Sequence, residues 1–445
     1  KTLAYSLPLL QKVKEQEVFL ALNAERRPKR PAMLVLAPTR ELCHQISADC
    51  IKKLCHHIKL SSTVLTGRED YGKQRKNLNR PIDIVVATPG RFLQHWQDQN
   101  VHIGSLQYIV LDEMDTMLEQ GFSRELKEIL YPALYRKKAE QTIDVKADLL
   151  PDAPKVIMTS ATMTQAIQRM VGDTDMNSGN VSARKHYVKK DSDEAVADKR
   201  GLVLPHMPVL KAKGLHRVVP RLKQVFVDVG GSDKLSLLND ILGHGGSGAA
   251  LRAASAADDW AASALTMIFC NTAGACRAVQ YALAEAQIET LAYHGELNSE
   301  ARTENLRRFR LAGKDGEPRI LVCTDLAARG LDVPQVDHVV MFDFPLNALD
   351  YLHRSGRTAR GDRTGGRVTA LVSKRDRVLA NGIEKAVQRG EPLDGLTSRK
   401  SDYQPGGRLH ASGRGGGGGG GGSGAGGKNK KRPGPPSRAP RRSRR

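Results

Sequence analysis

The strongest constraint on this chain's fold is a rhythm in which short β-branched apolar runs alternate with longer amphipathic stretches, and the rhythm occurs twice. Between Ala32 and about Thr162 the runs are AMLVLAP, SSTVL, DIVVAT, YIVLD and KVIMTS. Each is brief, apolar and ended by polar or turn residues, the pattern of strands covered on both faces. Helix-like stretches begin near Arg40, Gly90 and Ser123. This alternation predicts an α/β domain built on a parallel sheet with helices on both sides. It restarts at LKQVFVDV and continues through LTMIFCNT, ETLAYH, RILVCTD, HVVMFD and GRVTALV to about Arg389. A chain of 445 residues is too long for one hydrophobic core and long enough for two. The expected domains are 1–172 and 221–394, joined by a polar linker with an irregular insertion at 173–220. The Gly/Ala-rich stretch 243–264 reads as a surface insertion, and 395–445 as a tail.

The tail has no core-forming pattern. Its eight consecutive glycines, Gly415 to Gly422, cannot offset the entropy of ordering, which predicts disorder. The last stretch, KNKKRPGPPSRAPRRSRR, carries basic residues and no acid. It reads as an arm for non-specific RNA contact, with a nuclear signal or a merely solvated tail as alternatives. The whole chain has 69 Lys and Arg against 48 Asp and Glu, a net charge of +21, and a field of that sign favours polyanionic partners. Its apolar runs are too short to cross a bilayer. No secretory signal is visible; the chain begins at Lys1 rather than Met, which leaves any targeting peptide open. Six cysteines without a CxxC pair read as reduced thiols of an intracellular protein. Cys43, His44, Cys50, Cys55, His56 and His57 cluster in sequence, but their spacing on one helix-like stretch does not converge on a tetrahedral ion.

The sharpest local signal is VLDEMD, Val110 to Asp115. An apolar strand running into three acids sets carboxylates at the C-terminal edge of a parallel sheet, where ligands bind in open α/β folds. Asp112 there suits a magnesium ion held through water, and Glu113 is placed to orient and deprotonate an attacking water. The alternative is a helix start with acids at its positive end. TSAT at Thr159–Thr162 closes another strand with hydroxyls. Far downstream, HRSGRTAR at His353–Arg360 presents arginines at spacings of three, able to stabilise charge on a transferring phosphoryl group. Gly356 and Gly361 imply a close backbone approach or a special turn.

The ordered set PTREL, TPGR, DExD, SAT, TDLAARGLD and HRxGRTxR resembles the DEAD-box family of superfamily-two helicases, across essentially all of residues 1–390. FCNT, YHGE, HVVMFDFPLN and DYLHRSGRTAR further resemble plant plastid members that act in ribosomal RNA maturation. The resemblance implies two RecA-like domains, with ATP and Mg2+ as cofactors and RNA as partner, gripped by its backbone and 2′-hydroxyls rather than its sequence. It implies that Lys1 contacts the β/γ-phosphates and Thr2, with Asp112, the metal; that Gly330 and Asp332 contact the nucleotide; and that Arg357 and Arg360 act as arginine fingers beside catalytic Asp112 and Glu113. Asp115, Ser160, Thr162 and His353 resemble the network coupling nucleotide state to closure. Pro38, Thr39, Arg40, Gly67, Thr88, Gly90, Arg91 and Thr324 resemble the RNA grip. The protein is expected to act as a monomer, off membranes, on ribosomal RNA or pre-ribosomal particles, in the chloroplast or alternatively the nucleus or nucleolus.

Three departures stand out. The sequence begins at Lys1–Thr2, without the glycines of the phosphate loop, so Lys1–Arg445 alone is expected to show little RNA-stimulated ATP hydrolysis and an upstream-extended form to regain it. Met114 replaces the family's usual alanine, and Gly67–Arg68 its paired glycine. Two rival functions are an RNA-binding clamp or scaffold that hydrolyses nothing, and a DNA translocase of the same superfamily.

Overall fold

The computed structural model describes residues 1–21, 27–135, 153–171, 204, 207–212, 214–243, 264–312, 317–325, 333, 336–359, 365–393, 395–399 and 401. The chain divides into two units, Lys1–Ser398 and Arg399–Arg445. The second, with the expected basic tail, lies almost wholly outside the described residues, as does most of the stretch expected as a surface insertion.

Within the first unit, each strand expected from the sequence forms. Lobe 1 holds β1 (Met33–Leu36), β2 (Ser62–Leu65), β3 (Ile84–Ala87), β4 (Tyr108–Leu111) and β5 (Lys155–Met158). They pair parallel in the order β2-β3-β1-β4-β5. Lobe 2 holds β6 (Leu222–Asp228), β7 (Thr266–Cys270), β8 (Leu291–Tyr293), β9 (Ile320–Thr324), β10 (His338–Met341) and β11 (Gly366–Val372). Their order is β6-β11-β10-β7-β9-β8, again all parallel.

Side-chain alternation explains why central strands are apolar throughout. Leu34, Leu36, Val85, Ala87, Ile109 and Leu111 pack on one side of the first sheet, while Met33, Val35, Ala37, Ile84, Val86 and Val110 pack on the other. Both sides are covered, so both alternating sets must be apolar. Lobe 2 repeats the arrangement: Met267, Phe269 and Met341 face one core, and Ile268, Cys270 and Val340 the other. Edge strand β2 is only intermittently buried, as expected of a strand with one neighbour.

Helices begin where the sequence placed them, at Arg40, Pro89 and Ser123. The first is not uniform. Arg40–Gln45 is α-helical, Ile46–Ile51 is π-helical, and Lys52–Ile58 returns to α. Along it Cys43, Cys50 and Cys55 are buried, whereas His44, His56 and His57 are exposed, so thiols and imidazoles lie on opposite sides.

The described part of the stretch expected as a linker packs on both lobes. Leu204 is buried in the lobe 1 core and its N–H bonds Met170 O at 2.8 Å. Met207 and Val209 pack against the same core, and Val218 against that of lobe 2. Three apolar residues embedded in the polar stretch thus find a place on the surface of lobe 1.

Candidate nucleotide and RNA site

In both lobes the C-terminal ends of the strands carry the polar residues. After β4, the Asp112 N–H still bonds Leu36 O at 2.9 Å, which sets the carboxylate at the sheet edge. Asp112 is buried. It accepts hydrogen bonds from Tyr5 Oη at 2.9 Å and from the Thr159 hydroxyl. Its carboxylate thus has hydroxyl donors and, among the described residues, no cation paired with it, a hard-oxygen environment that fits a magnesium ion retaining part of its water shell.

Glu113 stands at φ 52°, ψ 55°, a left-handed conformation that costs a residue bearing a Cβ about 1 kcal/mol or more. It occupies the position before the helix Met114–Glu119, yet makes no capping hydrogen bond. The helix-start alternative thus loses its main argument, and the strain marks a residue held for another purpose. Burial raises the Glu113 pKa above its usual value, with Asp112 and Asp115 adding to that; the charges of Lys1 and Arg357 draw it back down. Met114 is fully buried among lobe 1 core side chains, where its flexible thioether fills space.

Asp115 is the most densely served acid. Its Oδ2 accepts from Thr162 N at 2.9 Å and Thr162 Oγ1 at 2.7 Å, and its Oδ1 from Thr116 N at 3.1 Å. Ser160 Oγ donates to Thr162 O at 2.7 Å. From lobe 2, His353 Nε2 stands 3.6 Å from Asp115 Oδ2. Burial raises the Asp115 pKa, but the His353 charge and the donors from Thr162, Thr116 and Ser160 outweigh it, leaving a net lowering. Asp115, Ser160, Thr162 and His353 are thus brought together as the sequence suggested.

The arginines of HRSGRTAR divide sharply. Arg357 is mostly buried and its charge is felt at Glu113. Arg354 is fully buried: Nε donates to Asp325 Oδ1 at 2.7 Å, Nη2 to Asp325 Oδ2 at 2.5 Å and Asn271 Oδ1 at 2.6 Å, and Nη1 to Asp343 O at 2.5 Å. This fork-on-carboxylate pairing ties β7, β9 and β10 together. Sequence reading treated the arginines as one set and missed this structural member. The signal was available: Ala348, Tyr351 and Arg354–Ser355 fall on the buried stripe of the helix Ala348–Ser355. Gly356 has an ordinary φ, but a Cβ there would stand 3.0 Å from Leu352 O and press on that carbonyl, so the implied close backbone approach is present. Gly330, Asp332, Arg360 and Gly361 lie outside the described residues.

The residues expected to grip RNA cluster at the ends of β1, β2 and β3, which are neighbours, and at the end of β9. Thr39 caps its helix, accepting from Leu42 N at 3.2 Å. Pro38 is buried just before it, rather than at the first helical position. Thr88 also precedes a helix, Pro89–Gln97, but makes no capping bond, with Pro89 in the first turn. Gly67 and Gly90 have open space where a Cβ would stand. Arg91 lies over the Tyr71 ring at 5.4 Å, and Tyr71 stacks on His95 at 4.2 Å. Arg68 adopts φ 62°, a conformation glycine favours. Thr324 ends β9, half-buried. Beyond these, Glu41 Oε1 meets Arg302 Nη2 of lobe 2 at 3.1 Å, a contact invisible to sequence reading because its partners lie far apart in the chain.

Two parallel-sheet lobes with acids at one edge and guanidinium groups at another define a RecA-like helicase core. The DEAD/DEAH box helicase family model matches residues 1–170, and the helicase conserved C-terminal domain matches residues 258–362. DEAD-box ATP-dependent RNA helicase 39 of Arabidopsis thaliana is 38% identical over 399 residues, covering 89% of this chain and 55% of the relative. ATP-dependent RNA helicase dbp3 of Aspergillus clavatus is 30% identical over 410 residues, covering 91% and 69%. The chain belongs to the DEAD-box RNA helicase family. It spans about half the length of the first curated relatives it matches. S. cerevisiae Dbp5 bound to RNA and ADP BeF3 superposes with a TM-score of 0.57 at 21% identity, covering 87% of this chain and 82% of that one. Mss116 bound to ssRNA and UDP-BeF gives 0.58 at 24% identity, covering 87% and 67%.

Proposed function

We propose that this chain is the core of an RNA-stimulated ATPase that locally unwinds or remodels RNA. The observation that carries the reading is the meeting of lobe 1 acids with basic side chains of lobe 2: His353 beside Asp115, and the charge of Arg357 at Glu113. Asp112 and Thr2 would hold Mg2+, which neutralises phosphate charge when bound. Lys1 reaches the phosphates. Glu113, whose carboxylate is spared from helix capping, takes the proton of the attacking water. Arg357 and Arg360 stabilise charge on the transferring group. Because acids and guanidinium groups come from different lobes, closure completes the site, and differential binding of ATP to the closed state supplies the coupling.

The RNA track follows from the hydroxyls, glycines and arginines at the ends of β1, β2, β3 and β9, groups suited to phosphate and sugar rather than base edges. As substrate we propose ribosomal RNA, and as location the chloroplast, on the resemblance of FCNT, YHGE and DYLHRSGRTAR to plastid members; a monomer suffices for the chemistry. In the full-length protein, Glu113→Gln should lower RNA-stimulated turnover by about 100-fold or more while leaving RNA binding intact. An unchanged rate would sink the assignment of the base, and turnover stimulated equally by matched DNA would point to a DNA translocase.

A further inference from the structure

His216 sits in the passage between the lobes, in a turn closed by Arg217 N bonding Gly214 O at 3.0 Å. It is buried and adopts φ 61°, a backbone state that favours Gly or Asn at this place in a turn. A histidine held there carries strain of about 1 kcal/mol that its side chain and carbonyl must offset. Both are engaged. Nε2 accepts the Met163 N–H at 2.9 Å, and the carbonyl accepts the Leu393 N–H at 2.8 Å. Met163 directly follows Thr162, whose N–H and hydroxyl hold Asp115, the acid that faces His353. Leu393 is buried in the lobe 2 core.

We infer that His216 is a positioning residue that clasps the Thr162–Met163 loop of lobe 1 to the C-terminal end of lobe 2. It adds to the His353–Asp115 and Glu41–Arg302 contacts a further link between the lobes, on the linker rather than across the cleft. Because Nε2 accepts a hydrogen bond from a backbone amide, the tautomer that makes this contact carries its N–H at Nδ1. The clasp fixes where Thr162 stands, and so fixes the orientation of Asp115 toward His353. This inference rests on the ATP-driven closure proposed above, but its first readout does not require turnover.

Two variants of the full-length protein separate the clasp from the turn. His216→Asn suits the left-handed backbone yet is too short to reach Met163. His216→Gln fits that backbone less well but carries an acceptor oxygen at the reach of Nε2. Amide hydrogen exchange, read without nucleotide, should show Met163 exchanging about fivefold faster in His216→Asn, and near the wild-type rate in His216→Gln. RNA-stimulated kcat should fall about fivefold in His216→Asn with KM for ATP unchanged, and recover in His216→Gln. If His216→Asn matches wild type in exchange and kcat, the residue serves only the turn and the clasp is wrong. If both variants are equally impaired, the residue serves packing and the clasp is likewise wrong. Wild-type protein without ATPase activity would overturn the functional reading while leaving the exchange result to judge the clasp.

Discussion

The two lobes share a plan, and they differ in what they do with the charge at the ends of their strands. Matching β1 through β5 with β7 through β11 makes the strand orders coincide, with β6 added at one edge of lobe 2. Thr39 after β1 and Thr272 after β7 both cap the following helix, accepting at 3.2 and 3.1 Å. Past β4 stands Asp112, and past its counterpart β10 stands Asp343. Asp343 is neutralised by Lys234 Nζ at 3.0 Å and accepts the Asn271 N–H at 3.0 Å, while its carbonyl accepts from Arg354. Asp112 is met by two hydroxyls. Lobe 2 has spent its acid on cohesion, whereas in lobe 1 the acid meets hydroxyls and, among the described residues, no paired cation. A shared scaffold can thus become a metal-holding edge in one copy and a rigid mount for guanidinium groups in the other.

Removing the internal pairing of lobe 2 should have the largest effect on this contrast. Arg354→Ala leaves Asp325 without its fork and should cost about 3–5 kcal/mol, read as a lower melting temperature with protection lost first in β7, β9 and β10. A lobe 2 as stable as wild type would show that the pairing is not what holds it.

Acid should come next, and should strike both lobes. Burial first, and then the charge of Arg91, lower the His95 pKa to about 4; burial and Arg367 lower that of His338 to about 3. Each ring stays neutral when folded but takes a proton near pH 6.5 when unfolded. Stability is therefore full above that pH and declines as the pH falls toward the folded pKa. Between pH 7 and 5 each histidine should cost about 2 kcal/mol, measured by denaturant unfolding. His95→Gln should abolish the loss in lobe 1 and leave that in lobe 2, and an unchanged pH dependence would contradict the buried neutral ring.

The smallest effect concerns the loop after β2, where Arg68 is left-handed; Glu296, after the counterpart β8, is not. Arg68→Gly should stabilise lobe 1 by about 0.5 kcal/mol, strain relief outweighing the added freedom of the unfolded chain. RNA affinity measured on the same variant would show whether Arg68 contributes a phosphate contact.

Local features were the legible ones. Strands declared themselves because both faces are covered, leaving continuous runs such as MLVL and IVVA. Asp112, Glu113, Asp115 and Thr162 were legible because they end such runs. Tyr5, Glu41, Arg302, Arg354 and His216 were not singled out: what matters in each is a partner distant in sequence, and an isolated Tyr or Arg carries no period that announces it. The packing of Leu204, Met207 and Val209 on lobe 1 was hidden for the same reason, since they find their place only once the sheet they cover exists.

The π-helical stretch Ile46–Ile51 works as a phase shifter. An α-helix turns about 100° per residue, so twelve residues of it would leave Cys55 about 120° past the azimuth of Cys43; the wider turn at Ile46–Ile51 brings Cys55 back inward. Deleting one exposed residue there, Ala48 or Asp49, would straighten the coil and misalign one end against the other. Either the thiols would rotate toward water, or the segment that begins the helix would leave the sheet's rim.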